Sequence, residues 1–166
     1  MKTKLIVGIG AAAIVALAAA TVLVQPSTAP QVNFATLSGE KLVTSDLRGK
    51  VLLVNFWATS CVACVKEMPR MVETYKKFSP RGYEMIAVAM SYDHPNQVAD
   101  FAQRRALPFK VAVDGSGEIA RSFGNVRVTP TTFLIDKRGR IVKQYLGEPE
   151  WGEFHALVEK ALDDPA

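Results

Sequence analysis

The residues Val51-Leu-Leu-Val-Asn-Phe56 form a short, nearly continuous apolar run. No other segment limits the fold as much. Without polar–apolar alternation, the run reads as a strand covered on both faces, which calls for helices on either side of its sheet. The stretch "NFWATSCVACVKEMP", Asn55 to Pro69, continues from it and holds the only two cysteines of the 166 residues. A helix is predicted from about Cys61 to Phe78, with Met68, Met71, Val72, Tyr75 and Phe78 along one face. Glu84 to Met90, "EMIAVAM", reads as the next strand. Strand, helix and strand in that order imply a parallel pair joined by a right-handed crossover.

The remaining elements extend this core. Pro95 to Ala106 is a second helix, with Asp93 or His94 as its cap and Pro95 in the first turn. Lys110 to Val113 is a short strand and Glu118 to Phe123 a short helix. Thr132 to Ile135 and Ile141 to Leu146 form an antiparallel hairpin around the polar turn "DKRG". Trp151, Phe154, Val158, Ala161 and Leu162 mark the apolar face of a closing helix. Val32 to Lys50 forms a small hairpin turning at Ser38-Gly39, followed by a capped turn near Ser45-Asp46. The class is α/β, a mixed central sheet flanked by helices, with an N-terminal β-hairpin extension. Strand order does not follow from these patterns.

Ahead of this domain, Met1-Lys-Thr-Lys4 carries two positive charges, and Leu5 to Val24 then runs for twenty residues without a charge. At ~1.5 Å per helical residue that run spans about 30 Å, the thickness of a bilayer's hydrocarbon core. It is long for a cleaved signal, although Ala18-Ala19-Ala20 suits a small-residue cleavage site. Residues 1–24 are therefore expected to be a membrane anchor or a signal peptide, residues 25–31 a linker, and residues 32–166 the folded domain. Lysines on the N-terminal side leave that end in the cytoplasm and export the rest. The chain has 20 Lys and Arg against 16 Asp and Glu, two of the lysines lie in the leading segment, and the exported part is thus only about +2. No basic stripe with interleaved aromatics accompanies this charge, so no nucleic-acid partner is expected.

Three chemistries compete for the cysteine pair. A disulfide closing a four-residue loop removes little chain entropy, about 1.8 kcal/mol against ~3 for a fifteen-residue loop, so Cys61 and Cys64 make a poor staple. A structural zinc site needs four ligands. The only histidines, His94 and His155, are far apart in sequence and read as cap or edge residues, and Val65 stands where c-type haem attachment requires His. No metal ligand and no cofactor is expected. Position favours redox chemistry: Cys61 follows a buried strand by a short turn and opens a helix. Unpaired N–H groups and the helix dipole there stabilise a thiolate, the form that attacks. Cys64, one turn on, is placed to resolve a mixed disulfide.

With strand, "FWA", CxxC and helix in place, the sequence resembles thioredoxin-fold proteins, most closely the TlpA/ResA-type exported thiol–disulfide oxidoreductases, which include the reductants of cytochrome c maturation. "SDLRGKVLLVNFWATSCVACVKEMP", "VTPTTFLIDKRGRI" and "YLGEP" carry the resemblance, which covers about Val32 to Leu162. It implies that Cys61 is the nucleophile and Cys64 the resolving thiol of a redox-active disulfide, and that Trp57 packs beside them. It implies that Pro130 is a cis-proline facing the cysteines and that the backbone of Thr129 pairs with an extended substrate segment. Trp57, Thr129 and Pro130 are therefore the expected substrate-binding residues. Glu67, three residues after Cys64, would be a partly buried catalytic carboxylate exchanging protons with Cys64. Asn55 stands where cytoplasmic thioredoxins carry a buried aspartate, which moves proton handling to Glu67. Ser60 replaces the Trp that many relatives have before the first cysteine, and Val62 and Ala63 between the cysteines are uncharged.

The resemblance implies a protein in the periplasm, or on the extracytoplasmic face of the inner membrane, that reduces disulfides of exported proteins such as apocytochrome c or copper-site proteins. A membrane-embedded thiol electron donor would restore its dithiol, and a monomer is expected. The alternatives are a peroxiredoxin-like thiol peroxidase and a copper or zinc chaperone. The peroxidase pattern needs a proline ahead of its cysteine, and none lies between Pro30 and Cys61.

Overall fold

The computed structural model describes residues 27–166, so the expected anchor or signal segment, residues 1–24, lies outside the described residues. Among the described residues no helix is long and apolar enough to cross a membrane. Strand β3 (Val51–Trp57) is the apolar run extended by one residue, and all seven of its residues are buried. It lies at the centre of a five-stranded sheet with β4 (Tyr83–Ala89), β5 (Lys110–Val113), β6 (Thr131–Ile135) and β7 (Ile141–Leu146) in the order β5-β4-β3-β6-β7. The β3–β4 and β4–β5 pairs are parallel, and the β3–β6 and β6–β7 pairs antiparallel. The small hairpin β1 (Asn33–Ala35) and β2 (Lys41–Val43) is a separate antiparallel two-stranded sheet whose turn reaches β5, where the Leu37 amide donates to the Val111 carbonyl at 2.8 Å.

Alternate residues of β3 feed two separate apolar cores, because side chains of a strand point to opposite faces. Val51, Leu53 and Trp57 face helices α1 (Val62–Phe78), α2 (Pro95–Arg104) and α4 (Trp151–Asp163), packing with Cys64, Met68, Met71, Phe78, Val98, Phe154 and Val158. Leu52, Val54 and Phe56 face the short helix α3 (Glu118–Ser122) and the N-terminal segment, meeting Phe34, Ile119, Phe123 and Phe133. Each fully buried large side chain contributes about 1.5–3 kcal/mol relative to exposure. Asn55 is the polar interruption of β3, and its odd position places it on the α1 face.

Element boundaries differ from the sequence expectation in physically readable ways. Helix α1 begins at Val62 because Cys61 is its cap, with φ −85° and ψ 104°. Helix α2 ends at Arg104, since Ala106 takes a left-handed φ of 47° that the helix cannot continue through. His94, rather than Asp93, caps α2, because the Asp93 carboxylate is engaged elsewhere. The described part of the expected linker is docked onto the β6–β7 hairpin. The Ser27 carbonyl accepts the Ile141 amide at 2.8 Å, and the Ala29 amide donates to Gly139 at 2.9 Å. Ala29 itself is buried in the core under α3 and the N-terminal segment.

Candidate active site

The parallel register brings the carboxyl ends of β3 and β4 to one edge of the sheet, where Trp57 pairs with Ala89 and the Met90 amide donates to the Trp57 carbonyl at 3.0 Å. Antiparallel β6 starts at that same edge, with Thr131 opposite Phe56. The turn leaving β3, the loop after β4 and the loop entering β6 therefore meet in one place. That place holds Cys61, Asp93 and Thr129–Pro130.

From β3 the chain passes through buried Ala58, and the Cys61 amide donates back to the Ala58 carbonyl at 3.1 Å, closing a tight turn. Asp93 clamps that turn, accepting from both the amide and the hydroxyl of Thr59, the latter at 2.7 Å. At the start of α1 the Cys61 Sγ accepts the Cys64 amide at 3.2 Å. The sulfur therefore does the work of an N-cap oxygen, next to the orphan N–H groups of the first turn. Cys61 and Cys64 form a disulfide with their Cα atoms 5.3 Å apart. Cys61 is half-buried and Cys64 fully buried, so the first sulfur is the accessible one. Val62, between them, is highly exposed.

Glu67 lies one turn beyond Cys64 and is completely buried, more so than the partial burial expected from sequence. Asn55 Nδ2 donates to Glu67 Oε1 at 3.2 Å and, with its other hydrogen, to Thr132 Oγ1 at 2.9 Å. The register places Asn55 opposite Thr132, so the polar line crosses from β6 through β3 to α1 inside an otherwise apolar layer. Neither Glu67 Oε2 nor Asn55 Oδ1 finds a hydrogen-bonding partner among the described residues. Burial pushes the Glu67 carboxyl up to about 7, opposed by the Asn55 hydrogen bond and reinforced by the negative charge of Glu148. A carboxyl of this kind changes charge near neutral pH instead of staying ionised.

The Thr129–Pro130 bond is cis. Pro130 is buried, and its carbonyl accepts the Gly147 amide at 2.8 Å, which joins this loop to the one after β7. Thr129 is half-buried. Trp57 is fully buried, in the same apolar cluster as Cys64 and 5.1 Å from the Phe101 ring, centroid to centroid. It therefore supports the cysteine pair from beneath, inside the apolar layer.

The site thus brings together Cys61, Cys64, Glu67, Trp57 and the Thr129–Pro130 loop. Sequence reasoning missed Asp93 as the clamp on the cysteine turn, Thr132 as the second partner of Asn55, and Glu148. Only Glu148 carried a signal, since it lies within the segment "YLGEP". The other two depend on strand register. His94 Nδ1 caps α2, accepting the Asn96 amide at 3.4 Å, and His155 Nε2 pairs with Thr74 Oγ1 at 2.9 Å. Among the described residues no group of three or more His, Cys, Asp or Glu side chains is arranged to hold a metal ion.

Comparison with known proteins agrees with this geometry. The Redoxin family profile matches residues 25–162. A thiol-disulfide oxidoreductase ResA of Bacillus thuringiensis subsp. konkukian is 39% identical over 132 residues, covering 80% of this chain and 75% of that protein. A ResA of Geobacillus thermodenitrificans is 39% identical over 121 residues, covering 73% and 68%. Among solved structures, a thiol:disulfide interchange protein of the thioredoxin family from Chlorobium tepidum superposes with a TM-score of 0.76 at 28% identity, covering 84% of this chain and 98% of that one.

Proposed function

The chain belongs to the Redoxin family, in its TlpA/ResA-like thioredoxin-fold branch, and is a thiol–disulfide oxidoreductase; from that premise we propose that it acts outside the cytoplasm as a reductant of disulfides in exported proteins. Cys61 is the nucleophile. Its thiolate attacks one sulfur of a substrate disulfide, the substrate S–S bond breaks, and the departing sulfur takes up a proton. Cys64 passes its proton to the Glu67 carboxylate and attacks Cys61 Sγ. The mixed disulfide breaks, the second substrate sulfur leaves as a thiolate that takes up a proton from solvent, and the Cys61–Cys64 disulfide remains. Two electrons have moved to the substrate, and a membrane-embedded dithiol donor returns them.

One observation carries this reading: the accessible Cys61 sulfur caps α1, with a fully buried carboxyl one turn beyond its partner cysteine. The capping position favours the thiolate that must attack. Glu67, pushed up to about 7, can accept and return a proton at neutral pH, which a fully ionised surface carboxylate does poorly. The half-buried backbone of Thr129 is the candidate to pair with an extended substrate segment. The uncharged leading run, residues 5–24, supports export and tethering to the inner membrane. Apocytochrome c and copper-site proteins are the substrate candidates that the family resemblance suggests.

A Cys64→Ala variant tests the reading, because it leaves Cys61 able to attack but unable to be released. Covalent adducts between this variant and exported cysteine-bearing proteins are expected, and they should disappear on adding Cys61→Ser. Adducts that form equally well without Cys61 would sink the assignment. Direction is tested separately by the reduction potential: a value of about −120 mV, typical of strong oxidants, would overturn the reductant role.

A further inference from the structure

We propose that Thr131, the first residue of β6, is a positioning residue for the substrate: its hydroxyl holds the Val128 carbonyl and so turns the Thr129 amide N–H outward, towards an extended substrate segment. The inference rests on the reading of Thr129 as the residue whose backbone pairs with that segment. It adds a side chain that is itself buried, at 1% exposure, and out of a substrate's reach.

Thr131 is anchored on both sides, opposite Phe56 of β3 and opposite Leu146 of β7. From this fixed place its Oγ1 donates to the Val128 carbonyl at 2.7 Å, reaching back across the cis Thr129–Pro130 bond. The Val128 carbonyl and the Thr129 amide N–H belong to one peptide unit. That unit is trans, so it is planar and its C=O and N–H point in opposite directions. A carbonyl drawn inward to a buried hydroxyl therefore sends the N–H away from the body of the domain.

The rest of the loop leaves Thr129 as the residue that meets a substrate. Pro130 has no N–H, and its carbonyl already accepts the Gly147 amide at 2.8 Å. Thr131 takes the Val128 carbonyl. Among the described residues, neither the amide nor the carbonyl of Thr129 is engaged in a hydrogen bond. One free donor and one free acceptor on the same residue suit a single hydrogen-bonded pair of an antiparallel ladder. Without the Thr131 hydroxyl, the Val128 carbonyl can turn to water, since Val128 is 58% exposed. The same rotation swings the Thr129 N–H inward and removes the donor. Thr131 therefore acts on substrates that present a peptide backbone, and not on disulfides that lack one.

The test compares two disulfides reacting with the full chain in its reduced form. One is a short cysteine peptide carried as its mixed disulfide with thionitrobenzoate. The other is dithiobis(nitrobenzoate), which has no peptide backbone. Both release coloured thionitrobenzoate, and the ratio of their second-order rate constants is the readout, so a general disturbance of the cysteines cancels. Thr131→Val, which keeps the branching of the side chain and removes its hydroxyl, is expected to lower the peptide rate roughly two- to tenfold relative to the small disulfide, the loss of about one hydrogen bond. Thr131→Ser should restore the ratio. Peptides N-methylated at one residue at a time should show, with the wild type, one sensitive position, the residue opposite Thr129. An unchanged ratio in Thr131→Val, whether both rates hold or fall together, overturns the inference and leaves Thr131 a structural cap on the turn. Failure of serine to restore the ratio overturns it too. If no N-methylated position is sensitive, the pairing at Thr129 is itself refuted, and the inference falls with it.

Discussion

Replacing Glu67 by Gln should change the pH dependence of stability more than stability itself. Burial pushes this carboxyl from 4.5 to about 7. A rise of about two and a half pH units corresponds to roughly 3 kcal/mol between the protonated and ionised forms. Because the folded-state value lies above the unfolded one, the favourable contribution is fully present below about pH 4.5 and is lost as pH rises through about 7. Glutamine is neutral throughout, and its carbonyl can still accept from Asn55 Nδ2. Its amide group, at the place of the unpartnered Oε2, costs about 1–3 kcal/mol at every pH. That constant drops out when wild type and variant are compared at two pH values. Urea unfolding of the oxidised proteins at pH 4 and pH 8.5 should therefore show the variant gaining roughly 3 kcal/mol relative to wild type on going to the higher pH. At slopes typical of small domains this moves the relative midpoint by roughly 1–3 M. A stability difference that stays constant within about 0.5 kcal/mol across that range would refute the argument that Glu67 is charged at a cost inside the folded protein.

Two further outcomes follow from the geometry around the cysteine turn. In the reduced protein, Cys61 should be alkylated at least about tenfold faster than Cys64 at pH 7, because Cys64 is fully buried and Cys61 is not; peptide mapping after limited alkylation reads the ratio, and equal labelling would contradict it. Asp93→Ala should cost about 1–3 kcal/mol by urea unfolding, since it removes the acceptor of both Thr59 bonds. Adding Thr59→Ala to that variant should cost less than about 0.5 kcal/mol more, and full additivity of the two losses would show that the clamp is not shared.

Local chemistry determined much of this protein without any tertiary information. The uninterrupted apolar run at Val51–Phe56 demands cover on two faces, and its run into a turn, a cysteine and an amphipathic helix leaves little besides a strand–helix–strand unit. The redox pair follows from spacing and from the electrostatics of a helix start, both of which are local. The hairpin at Thr132–Leu146 and the closing helix from Trp151 were legible for the same reason: turn residues and apolar periodicity lie within a few positions of each other.

Tertiary structure decided what depends on register and on depth. That Thr132 stands opposite Asn55, 77 residues away, follows from how β6 slides against β3, and no local pattern encodes that offset. Asp93 could be read from sequence only as a possible cap, because its partner Thr59 is 34 residues away across the parallel pair. Trp57 illustrates depth: its place beside the cysteines was expected, but only packing under Phe101 removes it from the surface. The same holds for Glu67. Its spacing from Cys64 puts it on the right face of α1, whereas its proton affinity comes from complete burial between β3 and α1 and from Glu148, which lies on a loop 81 residues further on. A sequence specifies which groups can react through the chemistry of near neighbours. The dielectric and the charges those groups feel are set by the whole fold.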